Sequence, residues 1–276
     1  MELDSKAIET LSVNAVKNSI VTTDFLDQFI AENDKEPSWD GFVYMYSNKS
    51  KKKSNFKGRM PVQVKGKMCD DHDKEIISYS MSTADLKSYL NDGGCILFVV
   101  YIGCVDLVTK IYYAELTPIK LRQILEDADQ QDWKSVKLRE FPCDNNKKCT
   151  IFFNCLQNCQ KQASFKDGKL FTLEELEEQG VLENIVIPVS GVGINDPQMA
   201  LINNEVYVYA RIKGSSIPQP LYDIPKEIHT KENIDALITI EGRVFYTRYS
   251  VTKSAKKIVL CFGESFTVEF DKNKQC

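Results

Sequence analysis

The feature that most constrains this fold is an unbroken apolar segment, Cys95–Ile102, which follows Gly93-Gly94 and reads Cys-Ile-Leu-Phe-Val-Val-Tyr-Ile. Its residues do not alternate between apolar and polar types. A strand with one face in water alternates, whereas a strand covered on both faces does not. We therefore predict a central strand in a sheet with helices on both faces, which is an α/β arrangement.

The elements around this strand complete an α/β unit. Thr22-Thr23 interrupts the helical spacing of the first region, so that region is one long helix or two short ones. Ser82 is a predicted N-cap, with an acid three residues later. In chain order, the predicted elements are a helical region at 4–33, strands at 42–46, 60–65 and 75–81, a helix at 82–90, the central strand, a strand at 110–116 and a helix at 118–128.

The chain changes character after about residue 142 and becomes mostly β. Glu241-Gly242 and Gly263-Glu264 are predicted hairpin turns. We predict two domains, residues 1–142 and 143–276, and we expect the natural chain to continue beyond Cys276, which closely follows a strand pattern. The predicted elements of the second half are a helix at 173–179 and strands at 185–189, 205–212, 237–240, 244–249, 258–262 and 265–270.

The composition is that of an ordinary globular protein. With 43% hydrophobic and 27% charged residues, a mainly disordered or fibrous chain is excluded. The sequence shows no secretory signal pattern and no apolar run long enough to cross a bilayer, so we expect a cytoplasmic protein without a membrane partner. Nine cysteines, mostly single within hydrophobic segments, favour reduced thiols over a disulfide framework.

The formal charge of −4 hides a strongly basic segment at residues 48–59. Its six cations, with no acid among them, are Lys49, Lys51, Lys52, Lys53, Lys57 and Arg59. The negative average excludes a uniformly basic coat for nucleic acid, but it allows local contact with phosphates. The alternative is a solvated hairpin loop whose lysines protect a sheet edge. Because the segment precedes the strand that carries Gln63, we expect it to overhang the site described next, with Lys67 extending the patch.

Asp40 precedes one predicted strand, and Gln63-Val64-Lys65 lies on the next, so antiparallel pairing can bring them together. Hydrolysis of a phosphodiester needs hard oxygen ligands for a divalent cation and a positive group at the reacting phosphate. Asp40 offers a carboxylate, Gln63 an amide oxygen and Val64 its main-chain carbonyl. Lys65 can hold the attacking water or the developing charge. Gln63 and Lys65 share one face of a strand, while Val64 points into the core.

At these residues the sequence resembles the PD-(D/E)XK (restriction-endonuclease-like) nuclease superfamily, most closely its Mrr-like and Holliday-junction-resolvase-like branches, in which Gln can replace the middle acid. The order helix, three strands, helix, strand over residues 4–102 is similar to that family's core. The resemblance implies a mixed central sheet flanked by helices. It also implies that a Glu on the first helix completes the metal site, for which Glu9 is the candidate.

The same resemblance implies a DNA endonuclease dependent on Mg²⁺ or Mn²⁺, in bacterial restriction or phage defence, working as a homodimer or in a larger complex. Residues 143–276 would then serve target recognition, oligomerisation or regulation. Each motif has an ordinary alternative: Asp-Gly is a common turn, Gln-x-Lys arises by chance, and a helical Glu such as Glu9 is usually solvated. Because Gln63 is neutral, the alternative function is a catalytically inactive scaffold that binds nucleic acid or a protein.

Two further clusters suggest metal binding. Cys143, Cys149, Cys155 and Cys159 lie within seventeen residues, but only the last two approach the spacing of paired zinc ligands. Buried thiols on an amphipathic segment are therefore the favoured interpretation. Residues 70–73 (Asp-Asp-His-Asp) form either a second metal site or a hydrated turn, and we favour the turn.

Overall fold

A computed structural model of the chain describes residues 3–31, 39–70, 73–263 and 266–272. The helices are α1 (Ser5–Val21), α2 (Thr83–Asn91), α3 (Pro118–Glu126), α4 (Asn145–Gln162), α5 (Leu173–Glu178) and α6 (Pro197–Asn203). The strands are β1 (Leu26–Ile30), β2 (Gly41–Tyr46), β3 (Phe56–Met68), β4 (Ile76–Ser82), β5 (Cys95–Ile102), β6 (Thr109–Leu116), β7 (Trp133–Glu140), β8 (Leu182–Val186), β9 (Tyr209–Ile212), β10 (Gln219–Pro220), β11 (Thr230–Ile240), β12 (Arg243–Lys253), β13 (Lys257–Phe262) and β14 (Phe266–Asp271). No described helix is long and apolar enough to cross a membrane.

A mixed sheet of seven strands, in the order β1-β2-β3-β5-β6-β7-β4, organises the first half of the chain. Strands β1, β2 and β3 form an antiparallel meander. Strand β5 then pairs in parallel with β3, after a connection that contains α2. The remaining pairs of this sheet are antiparallel.

The predicted central strand is confirmed, because every residue of β5 is buried. Its alternate side chains enter two separate cores. Ile96, Phe98 and their neighbours join residues of α1 and α4, whereas Leu97, Val99 and their neighbours join residues of α2 and α3. Helices therefore cover both faces of this part of the sheet, as the unbroken apolar pattern predicts. The Ser82 cap is also confirmed, since its side chain accepts a hydrogen bond from the Asp85 N–H.

The prediction of helix through residues 25–30 is wrong, because α1 ends at Val21 and residues 26–30 form β1. In β1, Leu26 and Ile30 are buried and Phe29 is exposed. Five residues are too few to separate a strand from a helical turn by apolar spacing, so the pairing with β2 decides the conformation here. The three strands that follow α1 are consequently β1, β2 and β3.

Strand β4 forms close to its predicted position but not beside the preceding strands. It pairs with β7 at the far edge of the sheet. In the chain β4 lies between β3 and α2, but in the sheet it is not next to β3 or β5. It is therefore an additional edge strand.

The prediction that residues from about 145 onward are mostly β is wrong for α4, a helix of 18 residues. Its buried surface includes the polar residues Asn154, Asn158 and Gln162 at four-residue spacing, which conceals an apolar helical period. These side chains are satisfied internally. Tyr209 Oη donates to Asn158 Oδ1 at 2.8 Å, and Gln162 Oε1 accepts from the Ile119 N–H at 3.0 Å.

The chain divides into two compact units. The first comprises residues up to 186 together with 190–193 and 209–222, and it contains the seven-stranded sheet and a small sheet of order β10-β9-β8. The second comprises 187–189, 194–208 and the described residues from 223 onward, with α6 and the antiparallel sheet β11-β12-β13-β14. The Glu241-Gly242 turn is confirmed by positive φ angles of 47° and 79°. Glu264, in the other predicted turn, lies outside the described residues.

Candidate functional site

Asp40 lies where β2 begins, at the end of the β2–β3 ladder. The register starts with Gly41 opposite Val62, and the Asp40 N–H donates to the Val62 carbonyl at 3.1 Å. Val64 lies beyond the last β2 pair, and its N–H donates to Asp40 Oδ2 at 2.6 Å. The carboxylate therefore completes the hydrogen bonding of β3 at the point where β2 stops.

Gln63 reaches the same carboxylate oxygen. Its Nε2 donates to Asp40 Oδ2 at 2.6 Å, and the Gln63 residue is only 7% exposed. A Glu at this position would bring a second negative charge against Asp40. The neutral amide therefore suits a close side-chain pair in the absence of a cation.

Strand alternation places Gln63 and Lys65 on one face of β3 and Val64 on the other. Val64 belongs to the core beneath α1, and Lys65 is half-buried. The N–H and C=O of one strand residue point to the same side of the strand. Because the Val64 N–H points to Asp40, the Val64 carbonyl lies on the edge of β3 that faces Asp40. The structure thus brings Asp40, Gln63 and the Val64 main chain together, with Lys65 on the Gln63 face.

The residue after Asp40 is glycine because β1 leaves no room for a side chain at position 41. Its φ is +151°, and a Cβ there would lie 2.1 Å from the Phe29 carbonyl oxygen and 2.7 Å from Ile30 Cα. Only glycine tolerates this close approach of β1 to β2. The glycine of the Asp-Gly pair is therefore required by the pairing of β1 with β2 and does not only mark a turn.

Glu9 lies on α1, which packs closely on β3. At Gly66, a Cβ would lie 2.3 Å from Ser12 Oγ and 2.6 Å from Ile8 Cγ2. The absence of a side chain at Gly66 lets the α1 turn that carries Glu9 pack directly on β3. Glu9 is half-buried, and its charge acts on Asp40.

The pKa of Asp40 is raised above its ordinary value, first because burial removes water from the carboxylate. The Val64 N–H, the nearby positive charge of Lys65 and the Gln63 amide all favour the ionised form and oppose this shift. The negative charge of Glu9 raises the pKa further. Asp40 is therefore a partly desolvated carboxyl group whose ionised form would be stabilised by a cation bound near it.

Trp39 and Tyr89 cover the site from the α2 side, and the sequence patterns did not single out either as a site residue. Their rings stack at a centroid distance of 5.1 Å, and Tyr89 is 2% exposed. Burial raises the pKa of Tyr89, and the charge of Asp40 contributes to the same shift, so the phenol stays neutral. The only available signal was the position of Trp39 next to Asp40 in the sequence.

The oxygen atoms around Asp40 fit a hard divalent cation. Among the described residues, no group of three or more His, Cys, Asp or Glu side chains is placed to hold a metal ion. The carboxylates of Asp40 and Glu9, the Gln63 amide oxygen and the Val64 carbonyl are nevertheless the ligand types that Mg²⁺ and Mn²⁺ prefer. Gln63 presently turns its NH₂ group towards Asp40, so ligation by its oxygen requires rotation of the amide.

The basic segment does not overhang this site, and that expectation is wrong. Residues 47–55 form the tip of the β2–β3 hairpin, whereas Asp40 lies at the opposite end of β2. Six residues of strand separate them, which corresponds to roughly 20 Å. A segment that immediately precedes a strand lies at the start of that strand, and Gln63 and Lys65 are near the other end of β3.

Four of the basic side chains have partners in the fold. Arg59 and Lys67 lie over the rings of Phe42 and Tyr101. Lys49 Nζ lies 2.6 Å from Asp24 Oδ2. Lys51 Nζ donates to the main-chain carbonyls of Thr23 and Leu26 at 3.2 and 2.5 Å. The side chains of Lys52, Lys53, Lys57, Arg59 and Lys67 are exposed.

The described structure does not gather the four clustered cysteines into a group that could hold a metal ion. Cys143 is exposed at the start of the segment, whereas Cys149, Cys155 and Cys159 are buried on α4. All are free thiols. Burial raises the pKa of Cys155 well above its usual range, so this thiol stays protonated.

The acidic turn is described only at its ends. Asp70 Oδ1 accepts a hydrogen bond from the Cys104 N–H at 2.6 Å, and Asp73 is exposed. Asp71 and His72, the other two residues of this predicted turn, lie outside the described residues.

Comparison of this chain with protein-family models, with curated proteins and with solved structures finds no significant match.

Proposed function

We propose that this chain is a metal-dependent nuclease that hydrolyses DNA phosphodiester bonds with Mg²⁺ or Mn²⁺. The observation that carries the proposal is the convergence of Asp40, Gln63 and Val64 at the end of the β2–β3 ladder, with Lys65 on the same face as Gln63. Burial keeps this anion partly desolvated, and the pKa of Asp40 is accordingly raised. Such perturbed groups concentrate at functional sites.

The order of the elements supports the same proposal. Helix α1, the meander β1-β2-β3, helix α2 and strand β5 follow one another, with β4 as an addition, and β5 is parallel to β3. The PD-(D/E)XK core that the sequence resembles has the order helix, three strands, helix, strand. Asp40 before β2 and Gln63-Val64-Lys65 on β3 match the positions of that family's motif.

Each residue has a chemical role in this proposal. Asp40 and Glu9 would hold the cation, together with the amide oxygen of Gln63 and the carbonyl of Val64. The bound cation supplies positive charge against the scissile phosphate and acidifies a water molecule. Lys65 orients the attacking water and stabilises the negative charge that develops on the phosphate oxygens. Trp39 and Tyr89 exclude water from one side of Asp40.

The cellular setting belongs to the proposal and follows from the resemblance. DNA is the partner, the compartment is the cytoplasm, and the biological role is bacterial restriction or phage defence. A homodimer or a larger complex would cut two strands. Residues 143–276 would contribute recognition, oligomerisation or regulation, although α4, within that range, packs into the first core.

Cleavage of plasmid and linear DNA with Mg²⁺ or Mn²⁺ tests the proposal. Asp40→Ala and Lys65→Ala should each lower the rate by about 100-fold or more, because each removes a charge that acts at the reacting phosphate. Asp73→Ala and Lys137→Ala change exposed residues of the same charges and should cut at the wild-type rate. Cutting that survives both site substitutions would eliminate this assignment.

The second candidate function is a nuclease-like scaffold without catalysis, and the hydrogen bond between Gln63 and Asp40 favours it, since the pair is already satisfied without a cation. A calorimetric titration with Mn²⁺ separates the two functions. The enzyme should bind Mn²⁺ and lose that binding in Asp40→Ala, and Gln63→Glu should bind it more tightly. Absence of binding in the wild type, with DNA present, would favour the scaffold.

A further inference from the structure

An aromatic surface covers the outer face of the β1–β2–β3 meander. On β2, Val43 and Met45 point into the core, so Phe42, Tyr44 and Tyr46 alternate onto the opposite face. Phe29 of β1 lies opposite Phe42 and is 71% exposed, and Phe56 of β3 lies opposite Tyr46 and is 44% exposed. A sheet face in contact with water normally carries polar residues, so this concentration of rings, two exposed and three half-buried, marks an interaction surface. We call these five residues the aromatic face.

The rings form a groove and leave their planes available for stacking. Phe29, Tyr44, Tyr46 and Phe56 line a groove of about 410 Å³. Tyr44 and Tyr46 each lie 5.9 Å from Phe56, at interplanar angles of 54° and 64°. Because these rings meet at steep angles and do not stack on one another, a flat ligand can still lie against them.

Positive side chains border this groove. Lys51 and Lys53 line it, and Lys51 is held by its bonds to the Thr23 and Leu26 carbonyls. Arg59, which is exposed on β3, places its guanidinium 4.4 Å from the centre of the Phe42 ring. Asp27 is the one acid lining the groove, within the described residues.

A second groove continues from the aromatic face towards Asp40. It has a volume of about 430 Å³, and its lining includes Phe42, Arg59 and Trp39, the neighbour of Asp40, together with Asp92 and residues of α4. Arg59 and Gln63 lie on the same face of β3, four residues or roughly 13 Å apart. At the roughly 3.4 Å spacing of stacked nucleotides in one strand, about four nucleotides span such a distance.

We propose that the aromatic face binds single-stranded nucleic acid and leads it along β3 to Asp40. Exposed rings offer stacking platforms for unpaired bases, and the adjoining lysines and Arg59 contact the phosphates. A duplex keeps its base planes covered, so it cannot use these rings. The proposal rests on the proposed function for the direction of the strand, whereas binding itself requires no catalysis.

Fluorescence anisotropy with labelled dT₂₀ and rU₂₀ in EDTA tests the surface without cleavage, and the two oligonucleotides separate DNA from RNA. Wild-type protein should bind at least one of them tightly, and should bind the matching duplex and an abasic strand of equal length about tenfold more weakly or worse. Phe29→Ala and Phe56→Ala should each weaken binding by roughly tenfold, because each removes a platform for one base. Trp133→Ala is the matched control, since Trp133 is 62% exposed on β7.

The salt dependence distinguishes stacking from phosphate contact. Lys53→Ala should reduce the slope of log affinity against log salt by about 0.7, because Lys53 lines the groove, whereas Phe29→Ala should lower affinity with little change in slope. Lys137→Ala, an exposed strand lysine elsewhere, should leave both unchanged. A thermal melt by circular dichroism verifies that each variant is folded.

Several results would overturn the inference. These are equal binding of the abasic strand, no binding of either oligonucleotide, or wild-type affinity in both phenylalanine variants. If the face instead joins two copies of the chain, Phe29→Ala would change the sedimentation coefficient and leave oligonucleotide affinity intact, which also contradicts the proposal. Loss of cleavage with retained oligonucleotide binding counts against the nuclease alone, and duplex cleavage without oligonucleotide binding counts against this surface alone.

Discussion

Burial of Asp40 creates the perturbed carboxyl group of the candidate site and also lowers the stability of the folded chain when that group is ionised. Its carboxylate completes the β2–β3 ladder through the Val64 N–H and the Gln63 amide, yet burial raises its pKa. The ionised carboxylate of Asp40 is therefore less well solvated in the folded chain than it would be in water. Such a residue is retained where the charge has a use, which is consistent with the proposed metal site.

Asp40→Asn should stabilise the protein at neutral pH. Because the folded-state pKa is raised above 3.8, the folded protein binds more protons than the unfolded chain between the two pKa values, and stability falls as pH rises through the folded value. Below 3.8 both states hold the proton and the contribution disappears. Thermal melts should therefore show a higher Tm for the variant at pH 7, with a difference that shrinks towards pH 3.

Asp73→Asn is the control for this measurement, because Asp73 is exposed and no burial acts on it. Its melting temperature should follow the wild type across the whole range. A lower melting temperature for Asp40→Asn at pH 7 would mean that the hydrogen bonds to the ionised carboxylate outweigh its desolvation.

Among the elements, the crossing of α1 over β3 determines how near the charge of Glu9 lies to Asp40. The two elements meet where Gly66 lacks a side chain, against Ile8 and Ser12. The position of a helix over a sheet is set by such close contacts, because protein interiors are close-packed. The position of Glu9 relative to Asp40 is therefore set by packing and not by its own sequence context.

Gly66→Ala should destabilise the first unit by about 1–3 kcal/mol, because the new methyl group overlaps Ser12 Oγ and Ile8 Cγ2 and forces α1 away from β3. Urea unfolding followed by circular dichroism measures the change. Gly168→Ala is the matched control, since a Cβ at Gly168 meets no atom within 4 Å. Equal midpoints for the two variants would contradict a tight crossing.

The β2–β3 hairpin shows that its lysines have different roles. Lys51→Ala should lower the free energy of unfolding by about 1–3 kcal/mol, because the Thr23 and Leu26 carbonyls lose a charged donor. Lys52→Ala alters an exposed neighbour and should have an effect within about 0.5 kcal/mol. The same urea measurement checks both, and a larger loss for Lys52→Ala would refute this division of roles.

For the whole molecule, the two units have separate sets of buried residues. The first contains both cores of the large sheet, whereas the buried side chains of the second are few and include Val251 and Phe262. Units with their own cores need not unfold together. A small core also supports less stability than a large one.

Calorimetry should accordingly resolve two unfolding transitions, with the second unit melting first. Phe262→Ala should lower only the earlier transition, and Gly66→Ala only the later one. A single transition that both substitutions shift would show that the units unfold as one.

The sequence by itself determined the local pieces that depend on neighbouring residues. The unbroken apolar pattern of β5 required cover on both faces, Ser82 required a helix start, and the two-residue period placed Gln63 and Lys65 on one face of β3. The sequence also predicts that Asp40 and Gln63 lie close together, because an antiparallel pair of strands brings their positions side by side. Each of these conclusions follows from backbone periodicity or hydrogen bonding within a few residues.

Only the tertiary structure decided what depends on residues far apart in the chain. Pairing with β2 turned residues 26–30 into a strand, and pairing with β7 moved β4 to the far edge. Buried polar partners made α4 a core helix, and the hairpin geometry carried the basic segment away from Asp40. The aromatic face likewise exists only because three strands bring its rings together. Pairing and packing between distant segments leave no periodic pattern in the local sequence. They are determined by which segments fit together in the close-packed core.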